Sequence, residues 1–125
     1  MKREMVVILA IVSLLLSFCS RFSTADLPDK GIVISSPKAN DVVPRGTPYE
    51  IQWKTEVTDS EFGAVVTIEF SKDAGKSWKQ VEENIPKAGP FVWKVPEIDS
   101  TQCKVRVFAQ RRPENRGTSG VFTVK

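Results

Sequence analysis

Histidine is absent from the chain, and cysteine occurs only twice, at Cys19 and Cys103. Without an imidazole, Ser-His-Asp triads, Cys-His pairs and histidine-ligated metal centres cannot be assembled within this sequence. Charge of one sign is scarce as well. The formal net charge is +3, and most of it sits in residues 1–25, where Lys2, Arg3 and Arg21 face only Glu4. The remainder is close to neutral, so nucleic acid is not implied as a partner. One local exception is Arg111, Arg112 and Arg116 in a Pro- and Gly-containing stretch. It reads as a solvated hairpin tip, with a phosphate, a uronic acid or an acidic protein face as the functional alternative.

Carboxylate pairs are the remaining route to catalysis, and they are poorly placed. Glu82 and Glu83 are adjacent, so an extended backbone sends them to opposite faces and they cannot flank one bond. Asn40 and Asp41 offer too few oxygens for a calcium loop. No catalytic residue, metal ligand or cofactor is expected, and the chain is not expected to be an enzyme.

Long apolar runs are also few. Lys2 and Arg3 precede one from Met5 to Leu16. At about 1.5 Å per residue it is too short to span a bilayer comfortably, but it has the length of a signal-peptide core. Export to the periplasm or the exterior is expected. Ser23-Thr24-Ala25 suits signal peptidase and would leave a mature chain starting at Asp26. The alternative is a lipoprotein box at Leu16-Ser17-Phe18-Cys19, with Cys19 acylated. Attachment to a membrane is expected only in that case, or if the leader stays uncleaved. Either main route leaves Cys103 without a partner, so the fold must hold without a disulfide.

Downstream of the leader, apolar and polar residues alternate. Ile32 to Ser35 is a β-branched run stopped by Pro37, and Tyr49, Ile51 and Trp53 alternate with Glu50, Gln52 and Lys54. Val66, Ile68 and Phe70 alternate with Thr67, Glu69 and Ser71. Ser77 to Val81 reads as a return strand, and Phe91, Trp93 and Val95 repeat the pattern until Pro96. Cys103, Val105 and Val107, then Phe122 and Val124, complete it. Period-two alternation places these residues on the buried faces of strands, and the three tryptophans, Trp53, Trp78 and Trp93, fall on inward parity or against a turn. About seven short strands separated by Pro, Gly, Asp and Asn clusters predict an all-β, antiparallel sandwich of immunoglobulin or fibronectin III type. The division expected is a signal peptide over residues 1–25, a short linker over 26–30 and one domain over 31–125.

Ser71-Lys72-Asp73-Ala74-Gly75-Lys76-Ser77-Trp78 is a hairpin turn spelled out in side chains. Asp73 can accept from backbone N–H groups two or three residues on, Gly75 can take a positive φ, and Trp78 covers the turn. This spelling resembles the Asp-box hairpin of sialidases and other secreted β-proteins, where it is structural. Its expected role here is a turn staple.

Several segments occur in the order of one known module: Ile34-Ser35-Ser36-Pro37, Gly46, Ile51-Gln52-Trp53, Val66 to Ser71, Asp73 to Trp78, Gly89, Phe91 to Pro96, Cys103 to Val107 and Gly120 to Val124. Over residues 31 to 125 the chain resembles the Ser/Thr-rich, glycosylphosphatidylinositol-anchored membrane protein domain. That domain is also the N-terminal domain of fungal β-1,6-glucan assembly proteins and an Ig-like module of bacterial secreted proteins. The fungal members carry a Ser/Thr-rich tail and an anchor signal, which are missing here, as is any Asn-x-Ser/Thr sequon, so the resemblance implies a bacterial envelope version. It brings no catalytic residues.

If Cys103, Val105 and Val107 point inward, Lys104, Arg106 and Phe108 share the outward face, with Gln110 next along. Together with Phe62, in the polar segment 58–63, they form the candidate ligand-binding surface. The alternative is that Phe108 lies under a loop and Phe62 plugs an edge. The function expected is a non-catalytic module of the cell envelope that binds a polysaccharide or cell-wall component. The alternatives are a protein-interaction or assembly subunit of an envelope complex that adds an edge strand to its partner, and a glycoside hydrolase.

Overall fold

Wherever the sequence alternates with period two, the backbone is extended and pleated. The computed structural model describes residues 28–56 and 63–125, and these form nine strands: β1 (Ile32–Ser36), β2 (Val42–Val43), β3 (Pro48–Thr55), β4 (Val65–Ser71), β5 (Lys79–Pro86), β6 (Phe91–Lys94), β7 (Ser100–Ala109), β8 (Arg116–Thr118) and β9 (Phe122–Val124). No helix occurs among the described residues. The leader with its Cys19, the first linker residues and Phe62 lie outside them.

The strands make two sheets. One has the order β1-β3-β6, the other β2-β9-β7-β4-β5, with β8 also paired to β7. Every pairing among these strands is antiparallel except β2 with β9, which run parallel as Val42 opposite Thr123 and Val43 opposite Val124. The core is what the two sheets enclose. Ile51, Trp53 and Trp93 come from the smaller sheet, and Val66, Ile68, Phe70, Val105, Val107 and Phe122 from the larger, all buried. Removing a side chain such as Ile68 from water contributes about 1.5–3 kcal/mol, and the two sheets collect that gain on one shared face. Cys103 is buried on β7 and is a free thiol; burial pushes its pKa up, which keeps it protonated and inert.

The sandwich is all-β as expected, with two corrections to the strand plan. The expected seven or so strands become nine because β2 is only two residues long and β8, Arg116-Gly117-Thr118, has no apolar side chain for alternation to reveal. The return strand does not run from Ser77 to Val81 but occupies Lys79–Pro86, since Ser77 is held in the turn. A third correction concerns Arg116, which lies in β8 and is 5% exposed, whereas Arg111 and Arg112 stay exposed. The backbone of Arg116 explains this: Lys30 N–H donates to Arg116 O at 2.8 Å and Arg116 N–H donates back to Lys30 O at 2.8 Å.

That reciprocal pair seals one side of the sandwich. A Cβ on Gly117 would stand 2.5 Å from the Ile32 carbonyl oxygen, so β8 approaches β1 at a distance only glycine permits. The other side is unsealed. There β5 pairs only with β4 and β6 only with β3 among the described strands, leaving two strand edges facing each other across a seam.

Candidate functional site

The turn between β4 and β5 organises one end of that seam. Ser71 hydroxyl donates to Asp73 Oδ1 at 2.7 Å and accepts from Gly75 N–H at 2.8 Å. Asp73 Oδ1 accepts Ser77 N–H at 2.8 Å, and Oδ2 accepts the Ser77 hydroxyl at 2.5 Å. The carboxylate therefore reaches four residues on, rather than two or three, because the Ser71 hydroxyl takes the Gly75 amide and the Asp73 backbone carbonyl takes the Lys76 amide. Ala74 and Gly75 sit at φ 59° and 89°, the left-handed pair a tight reversal needs. Bonds from Ser77 first and Ser71 next favour the ionised carboxylate and hold the Asp73 pKa at about 2, below its usual 3.8.

Trp78 leaves this turn for the outer face of the larger sheet instead of joining the core. Its ring covers Gly75, whose Cβ would be 3.4 Å from Trp78 Cζ2, and the Arg106 guanidinium carbon stands 4.1 Å from the ring centroid. Arg106 is simultaneously clamped by Glu69, directly opposite on β4, with Nε and Nη2 both 2.6 Å from Glu69 Oε1. The two side chains are only 13% and 19% exposed. This partly desolvated charge pair, stacked under an indole, fixes the outer face of β4 and β7.

Lys104, Arg106 and Phe108 do share the outward face, all half-buried, while Cys103, Val105 and Val107 point in. Arg106 is spent on Glu69 and Trp78, so the cation that sequence reasoning offered to a ligand has internal partners. Phe62 lies outside the described residues. Arg116 joins this face opposite Phe108. Burial first, then the like charge of Arg106, lowers its pKa. Gln110 turns to the edge, where its amide brackets Asn84, accepting from Asn84 N–H at 2.5 Å and donating to Oδ1 at 3.1 Å.

The carboxylates do not converge. Glu82 and Glu83 are both exposed on β5, and Asp41 accepts from Lys38 N–H at 2.9 Å. Among the described residues no three of histidine, cysteine, aspartate and glutamate gather as a metal would need.

What sequence reasoning missed is the unsealed seam. It holds a groove of about 400 Å³ lined by Phe70, Lys79, Gln80, Val81, Phe91, Val92, Trp93, Lys94 and Pro96. A second hollow of about 220 Å³ shares Phe70, Lys79 and Pro96 and adds Lys72, Ser77, Trp78 and Ile98. The floor is an aromatic pair, Phe70 and Trp93, with centroids 5.0 Å apart and planes at 47°. Among the described residues no carboxylate lines either hollow, and no ion pair engages Lys72, Lys79 or Lys94. The sequence signal was Val92, apolar at an outward position between Phe91 and Trp93, and 61% exposed.

No family model, curated protein or solved structure matches the chain.

Proposed function

We propose that this is an exported, non-catalytic binding module of immunoglobulin-like fold that engages a protein partner along the seam between β5 and β6. The observation that carries the reading is the seam itself: an apolar, aromatic-floored groove between two unpaired strand edges, on a molecule whose opposite side is sealed. Unpaired edges present rows of backbone donors and acceptors, which proteins either cover or use. An immunoglobulin-like identity is supported by strand order. β1, β3 and β6 take the places of A, B and E, and β4, β7 and β9 those of C, F and G, with β5 beside C. Export rests on the leader, and relationship to the glucan-assembly domain on the order of its motifs.

A photo-cross-linking residue placed at Val92, in cells that make the protein, tests this. The expected result is a discrete protein adduct at Val92, abolished by Val81→Asp and not formed from Val33, the exposed valine on the sealed side. Absence of an adduct at Val92 overturns the reading.

A second reading, binding of a polysaccharide or cell-wall component, is favoured by one observation. The half-buried Trp78 stands beside Lys104, whose Cδ approaches the same face of Gly75. It requires retention on peptidoglycan, β-glucan or an acidic polysaccharide, reduced in Trp78→Ala and in Arg106→Ala with Phe108→Ala.

A further inference from the structure

From the chemistry of the seam, and resting on the proposal that it is a protein interface, we infer that its occupant is an extended strand in which acidic side chains alternate with apolar ones. Four features of the groove converge on that ligand. The banks are strands, β5 and β6, each with one edge unpaired, so an incoming backbone finds hydrogen-bond partners that a sugar chain would not use. The floor, Phe70 and Trp93, is 9% and 4% exposed; the two rings pack on each other and offer no open face for a sugar ring to stack on, while leaving an apolar trough with Val81 and Phe91 that side chains can fill.

The other two features concern charge and position. Among the described residues the rim carries Lys72, Lys79 and Lys94 and no carboxylate, and these lysines have no ion-pair partner to give up. Lys79 lies opposite Phe70 on the inward side of β5, whereas Lys94 stands on the outer side of β6 with Val92. A strand laid between the edges thus meets the apolar floor on its inner face, with Lys79 at the end of that floor, and Lys94 on its outer face, the two faces that period-two alternation separates.

The pairing edge is β6. Its four residues, Phe91–Lys94, extend about 13 Å and match a partner segment of comparable length. The β5 edge is broken by register shifts around Ile68 and carries Asn84 at φ 56° beside Glu82 and Glu83, which are features that discourage pairing along its length. Acidic side chains on the outer face of the incoming strand are therefore held by Lys94, Lys79 reaches with its flexible stem from the end of the apolar floor to the strand's terminal acid, and acids that run on past the groove toward the two glutamates are repelled.

Three probes test this by titration into the 15N-labelled chain: a capped heptapeptide alternating valine and glutamate, its valine and lysine counterpart, and an oligoglucuronate. The valine–glutamate peptide is expected to shift amides of β6 and of Lys79 to Val81. Its binding should weaken at least ~10-fold in Lys79→Glu with Lys94→Glu and fall with added salt, as unit charges near a protein surface require. Both lysines are exposed, and an unchanged circular-dichroism spectrum verifies that the double variant is folded. Equal binding of the lysine peptide, binding of the oligoglucuronate alone, indifference to the double substitution, or no shift with any probe overturns the inference. The two proposals fail separately. A Val92 adduct whose yield is unchanged by the lysine substitutions rejects the acidic strand and keeps the interface, whereas a missing adduct rejects the interface.

Discussion

Asp73 is the residue on which the β4–β5 turn depends, and its chemistry gives a pH signature. Its pKa is lower in the fold, about 2, than the usual 3.8. The stabilisation is then fully present above about pH 4 and is lost as pH falls through about 2. Asp73→Asn removes the charge and should lower the thermal midpoint at neutral pH while flattening the decline of the midpoint between about pH 4 and pH 2, followed by circular dichroism. Parallel midpoint curves for the two proteins would show that this carboxylate does not carry the acid sensitivity. Glu69 makes a different demand. One of its oxygens takes two Arg106 nitrogens, so Glu69→Gln keeps the acceptor but leaves the guanidinium charge beneath Trp78 without its counter-charge, and should cost about 1–3 kcal/mol in urea unfolding. Indole fluorescence should change with it, because Trp78 loses its fixed neighbour.

At the scale of the element, alternation is readable where strands are long and one face is buried. Ile51 and Trp53 on β3, Val66, Ile68 and Phe70 on β4, and Cys103, Val105 and Val107 on β7 all point inward as their parity requires. β2 and β8 are not readable. Two residues carry no period, and Arg116-Gly117-Thr118, which has no apolar side chain, is strand only because Lys30 and Phe108 flank it. The candidate site is less legible than the fold for the same reason. The parity that puts Lys104, Arg106 and Phe108 on one face is local, but the partners that occupy Arg106, Glu69 on β4 and Trp78 beyond the turn, come from other parts of the chain, and one sequence does not state pairing order. The seam is less local still, since it exists because β5 and β6 each pair on one edge only among the described strands.

The sealed side makes a prediction at this scale. Gly117→Ala forces a Cβ to within 2.5 Å of the Ile32 carbonyl unless β1 moves, so it should cost about 1–3 kcal/mol. It should also accelerate hydrogen exchange at Lys30 and Arg116 before the β4 and β7 amides respond. Exchange that rises uniformly across both sheets would contradict a local seal.

For the whole molecule, the buried thiol reports cooperativity. Cys103 sits on β7, flanked by β4 and β9, and is fully buried, so a reagent reaches it only when the larger sheet opens. Its labelling, read by site-resolved mass spectrometry, should track the global unfolding free energy across a urea series. Labelling that is fast and insensitive to urea would mean that the two sheets separate without unfolding.

The parallel pairing of β2 with β9 has a mechanical meaning. One strand comes from near the start of the domain and the other from its end, joined by Asn40 to Val121, Thr123 to Asp41, Lys125 to Val43 and Arg45 to Lys125. Tension applied between the two ends drags these strands lengthwise past each other once β1 has given way. All their bonds then resist together rather than opening in turn like a zip, and the sandwich would keep its shape under strain through a latch only two residues long on one side.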